Sequence, residues 1–289
     1  MGPLIGLAIT VGMVFGGYAL AGGKMEIILH ALPFEGMMIG GAAIGSFVLG
    51  NDFSVIKRTG GDVSQAIAGP KWKKADYRQV LCLMFELIRV ARDSPVKAEA
   101  HIENPPDSEI FKRYPRIARD KDAVEIICDT IRSTLMNFDN PHQVEELLEK
   151  QLEAMEEESL KGAHALQKMS DGLPALGIVA AVLGVIKTMA SIDKPPEVLG
   201  QMIGGALVGT FLGVFLSYGL VGPLADRIKA VREQDQRFYA LIRETIVASL
   251  HLHTPQMSVE VARRNVPKKA RPSFAEVEEA LKALRKEAA

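Results

Sequence analysis

Few residues in this 289-residue chain could carry chemistry, and their spacing narrows that chemistry further. His251 and His253 stand two apart, which on a helix points them to different faces, so they do not form a shared metal site. Cys82 and Cys128 are isolated and read as core thiols that stay reduced, with no disulfide expected. No Gly-rich loop leads into Lys-Ser or Lys-Thr, and there is no His-Glu-x-x-His, Cys-x-x-Cys or Gly-x-Ser-x-Gly. Neither an enzyme nor a metal or cofactor site is expected. What remains is the chemistry of an ion route, which is usually marked by an acid or a histidine deep in an apolar run. Glu35, Asp171 and Lys187 are the candidates, and all three read as edge residues, so a titrating carboxylate is expected to come from another chain. The apolar runs themselves offer Thr210 in the middle of one and a proline at the end of each of two, Pro174 and Pro223. A proline removes one backbone hydrogen bond and can create a bendable point; its plainer reading is a helix boundary.

These residues must be positioned by membrane helices. Residues 200–224 contain no charged side chain, and small residues recur there at every fourth position: Gly205, Gly209, Gly213 and Ser217. A helix needs about 20 apolar residues to cross the hydrocarbon layer, and small residues at this spacing let a second helix approach closely. Three further spans are expected: residues 3–21 without a charge, residues 36–50 entered through Leu32 and Glu35, and residues 172–192 interrupted only by Lys187. The first lacks a basic leader and is too long for a signal peptide, so it reads as a retained helix. Lys57, Arg58, Lys71, Lys161, Lys168, Arg227, Lys229 and Arg232 flank the spans on one side, against Lys24, Lys187 and Lys194 on the other. The basic side is the cytoplasmic one, so both termini and the long middle segment are expected in the cytoplasm.

The fold class expected is all-α: a polytopic membrane protein with four transmembrane helices and a helical cytoplasmic domain. The division expected is 1–50 for spans one and two, 51–171 for a cytoplasmic domain, 172–224 for spans three and four, and 225–289 for C-terminal cytoplasmic helices. In the cytoplasmic part, Tyr77, Val80, Leu81, Met84, Leu87, Ile88 and Ala91 share one helical face, as do Val124, Ile127, Ile131 and Leu135. Pro105, Pro106 and Pro115 prevent one continuous helix between them. Residues 143–169 form an acid-rich helix leading to span three, the fourth span continues outward as a helix to His251, and Ser273 with Glu276 makes a capping box for a last helix. A formal charge of -1 gives no electrostatic case for nucleic acid.

Several segments together carry a resemblance: residues 173–184 (LPALGIVAAVLG), 208–213 (VGTFLG), 102–117 (IENPPDSEIFKRYPRI), 271–274 (RPSF), 15–18 (FGGY) and 44–47 (IGSF). In this order, across nearly the whole chain, they resemble the MotA family, the stator subunits of the bacterial flagellar motor in the inner membrane. The resemblance implies a pentamer around a MotB dimer whose aspartate accepts the proton, with proton flow driving the cytoplasmic domain against the rotor protein FliG. It gives Pro174 and Pro223 the role of coupling proton transfer to movement and places Thr210 beside the ion route. Ala181 stands where sodium-driven relatives have threonine, which favours protons. For the rotor contact it implies Arg92 and Glu99, with Arg89 as the alternative arginine. A TolQ or ExbB energiser would share the channel core but has three spans, and a solute transporter would show two related halves, of which there is no trace.

Overall fold

The computed structural model describes residues 2–135 and 140–287. Among them are thirteen α-helices and one π segment, with no strand. In chain order the helices are α1 (Gly2–Leu20), α2 (Met25–Leu49), α3 (Phe53–Ala68), α4 (Lys74–Asp93), α5 (Pro95–Glu103), α6 (Glu109–Lys112), α7 (Pro115–Ala118) and α8 (Lys121–Leu135). They continue with α9 (Pro141–Met189), α10 (Pro196–Leu216), the π segment Ser217–Val221, α11 (Gly222–Leu250), α12 (Pro255–Asn265) and α13 (Phe274–Glu287). Four stretches are long and apolar enough to cross a membrane: α1, α2, α9 and the run Pro196–Leu250. The chain forms two compact units, residues 1–69 with 159–231 and residues 70–158 with 232–289.

The first unit holds the spans. α1 buries none of its residues in the single chain, and Leu4, Ile5 and Met13 are exposed, as suits a helix facing lipid or other subunits. α2 begins well before the apolar block from which its span was expected, and it continues through Pro33. This corrects one expectation: Glu35 is not at the edge of a span but ten residues inside α2, about 15 Å along its axis at 1.5 Å per residue. α3 is amphipathic and buries Ala66 against Ala163, Leu166, Ala225 and Ile228. The acid-rich helix and span three are one element, because α9 runs through Pro174 without a break.

The second unit is a soluble-type helical domain around the face anticipated on α4. Tyr77, Val80, Leu81, Met84, Leu87 and Ile88 are all buried, together with Ile127 and Ile131 of α8. Trp72 stacks on Phe238 with ring centroids 3.8 Å apart, and Tyr77 meets the same ring edge-on. Four carboxylates are buried here: Asp235 accepts the Lys71 backbone N–H at 2.8 Å, and each of the other three has a side-chain cation. Arg113 Nη1 is 3.0 Å from Glu86, to which Tyr114 also donates a hydrogen bond of 2.7 Å. Arg116 Nη1 is 3.2 Å from Asp76, and Lys71 pairs with Asp120. Arg113, Tyr114 and Arg116 all come from the segment 102–117, so that segment neutralises two acids buried on α4. Removing the cation would leave a buried carboxylate without its counter-charge, which destabilises the core. Burial pushes the Cys82 thiol up to about 11 and that of Cys128 to about 12, so both remain protonated core residues. The capping box forms as anticipated: Ser273 N–H donates to Glu276 Oε2 at 2.6 Å, and Glu276 N–H donates to Ser273 Oγ at 3.2 Å.

Candidate functional site

The small residues at four-residue spacing bring α9 and α10 into backbone contact and seat α2 side chains against α10. A Cβ built on Gly213 of α10 would stand 2.6 Å from the Leu173 carbonyl oxygen and 2.8 Å from Gly177 Cα, both on α9. One on Gly177 would stand 2.8 Å from the Gly209 carbonyl oxygen, and one on Gly184 would stand 2.6 Å from Ala206 Cβ. Contacts this short against backbone have no room to relax, so glycine is what permits the approach. The other side of α10 meets α2, where Gly204 faces Ile27 and Gly205 faces Ala31.

Gly209 sits at the junction of all three helices. A Cβ there would meet Glu35 Oε2 of α2 at 2.6 Å, and on α9 Ala180 Cβ and the Ala181 nitrogen, each at 3.3 Å. Ala181 is therefore level with Gly209, and half-buried Thr210 is the next residue of α10. The seam holds one of the anticipated ion-route positions, Ala181, with Thr210 the next residue along α10, and adds Glu35, which the reading of the sequence had set aside as peripheral.

Pro174 lies on α9, and Pro223 lies at the start of α11, beyond the π segment that follows α10. Pro174 is half-buried inside α9, next to Leu173, whose carbonyl abuts Gly213. Pro223 is exposed and comes one residue after the cap of the π segment, Gly222, whose N–H donates to the Ser217 carbonyl five residues back. A proline has no N–H to donate, and a π turn is one way for a helix to absorb that loss. Ser170 joins the two places: its Oγ donates to the Ser217 carbonyl at 3.1 Å and lies 3.2 Å from Ser217 Oγ. Both serines are buried. Ser170 is also four residues before Pro174, the position whose carbonyl loses its helical donor to that proline. Its place one turn before a membrane proline was the available signal, while the pairing with Ser217 needed the three-dimensional arrangement.

In the second unit, Arg92 closes α4 and is exposed, and Glu99 is exposed on α5 beside buried Ala98. Ser94 ends α4 and caps α5, so only a tight corner separates the two side chains along the chain. Arg89 is half-buried, with its guanidinium 5.8 Å from the centre of the Phe85 ring. Of the two arginines, Arg92 is the more exposed to solvent.

Spans packed on glycine, two prolines set beside the seam and an acid enclosed within it define a polytopic helical membrane protein built around a close helix–helix joint. Comparison with known proteins makes the class particular. Residues 4–95 match the family described as Motility protein A N-terminal, and residues 120–239 match the MotA/TolQ/ExbB proton channel family. Motility protein A of Salmonella typhimurium is 36% identical over 98% of this chain and 95% of that protein. Chemotaxis protein LafT of Vibrio parahaemolyticus is 33% identical over 96% of this chain and 97% of that protein. Among solved structures, Campylobacter jejuni MotAB superposes with a TM-score of 0.73 at 18% identity, covering 94% of this chain and 98% of that one. The flagellar MotAB stator complex of Bacillus subtilis gives 0.71 at 22% identity, with the same coverage. The chain belongs to the MotA family, the stator subunits of the bacterial flagellar motor.

Proposed function

We propose that this chain, with a MotB-like partner, forms a proton channel in the bacterial inner membrane and converts proton flow into torque on the rotor protein FliG. The observation that carries the reading is the seam at Gly209, where Ala181 of α9 lies against α10 and Thr210 is the next residue of α10. The partner supplies the aspartate that accepts the proton, and five copies of this chain surround a partner dimer. Both termini and the second unit face the cytoplasm, following the basic residues at the span ends. A proton crossing about 100 mV releases about 2.3 kcal/mol. A carboxylate alternating between charged and neutral forms changes its cost in the membrane by a comparable amount, enough to bias a bendable pair of helices. Pro174 and the π segment before Pro223 are the bendable points, and α9 and the α10–α11 run carry the movement along continuous helix. Arg92 and Glu99 meet opposite charges on the rotor through exposed pairs worth about 0.2–1 kcal/mol each, weak enough for repeated stepping.

The match of residues 4–95 to the Motility protein A N-terminal family supports this reading over a TolQ- or ExbB-like energiser. Co-expression with a MotB-like subunit, followed by native mass spectrometry of the purified complex, tests the assembly. A pentamer around a partner dimer is expected; a chain that purifies without the partner would overturn it.

A further inference from the structure

Glu35 is a carboxyl enclosed within a membrane span, and nothing in the motor reading uses it. Its residue is 6% exposed, and Oε2 is buried with no hydrogen-bond donor among the described residues. That oxygen points at the junction of α2, α9 and α10, at Gly209, on the level of Ala181. The charged groups around it are few. α9 contributes Lys187, six residues beyond Ala181. The α10 side offers no acid or base between Glu197 and Asp226, and α1 carries no charged residue. On α2 itself, Glu26 and His30 lie toward the connection with α1. An acid at this depth is costly and marks a proton relay or an ion path by default. Here the cost is not offset by a hydrogen bond to Oε2, and the neighbouring helix carries glycine where any side chain would displace the carboxyl.

We propose that Glu35 is a proton-relay site in this chain, resting on the reading of the complex as a proton channel. Glu35 in its acid form passes the proton from its carboxyl oxygen to the partner's carboxylate near Ala181 and Thr210, leaving Glu35 ionised and the partner neutral. A hydronium ion entering from the end of the spans where α1 joins α2 and α9 joins α10 then reprotonates Glu35 and leaves as water. One proton moves per cycle and no other reactant is consumed. Lys187 lies toward that same end.

The test uses the full chain reconstituted with its MotB-like partner in vesicles, with proton uptake read from an internal pH-sensitive dye. Glu35→Gln keeps the shape but cannot exchange a proton, and is expected to lower flux at least fivefold and to flatten its dependence on external pH, at unchanged complex yield. Glu35→Asp is expected to restore at least half of the wild-type flux. Flux and pH profile of Glu35→Gln equal to wild type would overturn the relay while leaving the channel reading intact. Absence of flux in the wild-type complex would overturn both. A second measurement does not depend on how the variants fold: treatment of the wild-type complex with dicyclohexylcarbodiimide, which attacks protonated carboxyls in apolar surroundings, followed by peptide mass spectrometry. Modification at Glu35 in step with loss of flux, while the partner's aspartate stays unmodified, supports the relay; flux unchanged with Glu35 modified overturns it.

Discussion

Gly213 and Gly60 should answer the same substitution in opposite senses. A Cβ on Gly213 would press into the Leu173 carbonyl and Gly177 Cα, whereas one on Gly60 of α3 would meet nothing within 4 Å. Gly213→Ala is therefore expected to destabilise by about 1–3 kcal/mol through overpacking. Gly60→Ala removes the helix penalty of glycine and should stabilise by about 0.5–1 kcal/mol. Thermal unfolding of the detergent-solubilised protein reads both, and equal effects would contradict the seam geometry. Arg92 and Glu99 pose a different question at this scale, because both are exposed and act through charge. Arg92→Glu and Glu99→Lys should impair swimming more than alanine at either position, since reversal adds repulsion to lost attraction. Charge reversal at the matching rotor site should restore part of the motion; alanine variants as defective as the reversals, with no rotor rescue, would point to folding instead. Glu276 adds a pH effect. Its hydrogen bond from Lys74, followed by those from Ser273, holds its carboxyl down at about 2 against an ordinary 4.5. A depressed acid stabilises the fold above its unfolded value, so this contribution is present above about pH 4.5 and fades as pH falls toward 2. Glu276→Gln should accordingly show a shallower fall in melting temperature over that window.

Among the elements, α9 and the α10–α11 run decide whether Pro174 and Pro223 act together. Substituting either proline should abolish swimming while the complex still assembles; assembly lost in step with motility would make each a simple boundary. The Ser170 bond to the Ser217 carbonyl ties these two places, and its removal in Ser170→Ala should cost about 1 kcal/mol of stability. Ser170→Ala combined with Ser217→Ala should cost less than the sum of the two single changes, as expected of groups that share one interaction. These elements also show what the sequence could and could not disclose. Uncharged runs and small residues at fixed spacing were enough for four spans, because length and apolarity are local properties. The face of α4 and the cap of α13 were legible for the same reason. The start of α2 was not, since Glu26, His30, Pro33 and Glu35 dilute its hydropathy, and in a soluble helix a proline would signal an end. α3 escaped notice because Gly60 and Gly61 interrupt its middle. Glu35 was misplaced along with the start of its helix, and its setting against Gly209 depends on packing between helices that no local pattern records.

For the whole molecule, the fold and the family agree, and the central claim is that the proton path is completed by another chain. Glu35 can hold a proton inside the spans, and among the described residues no other acid lies in α1, in α9 after Asp171 or in α10 after Glu197 to take that proton onward. Asp171 is exposed at the start of the third span, and Glu197 lies in the first turn of α10. The most direct measurement is proton flux into vesicles containing this chain alone and this chain with its MotB-like partner, under the same imposed potential and pH gradient. Flux equal to empty vesicles for the chain alone, and well above it for the complex, is the predicted result. Flux through the isolated chain above that of empty vesicles, or none through the assembled complex, would contradict it.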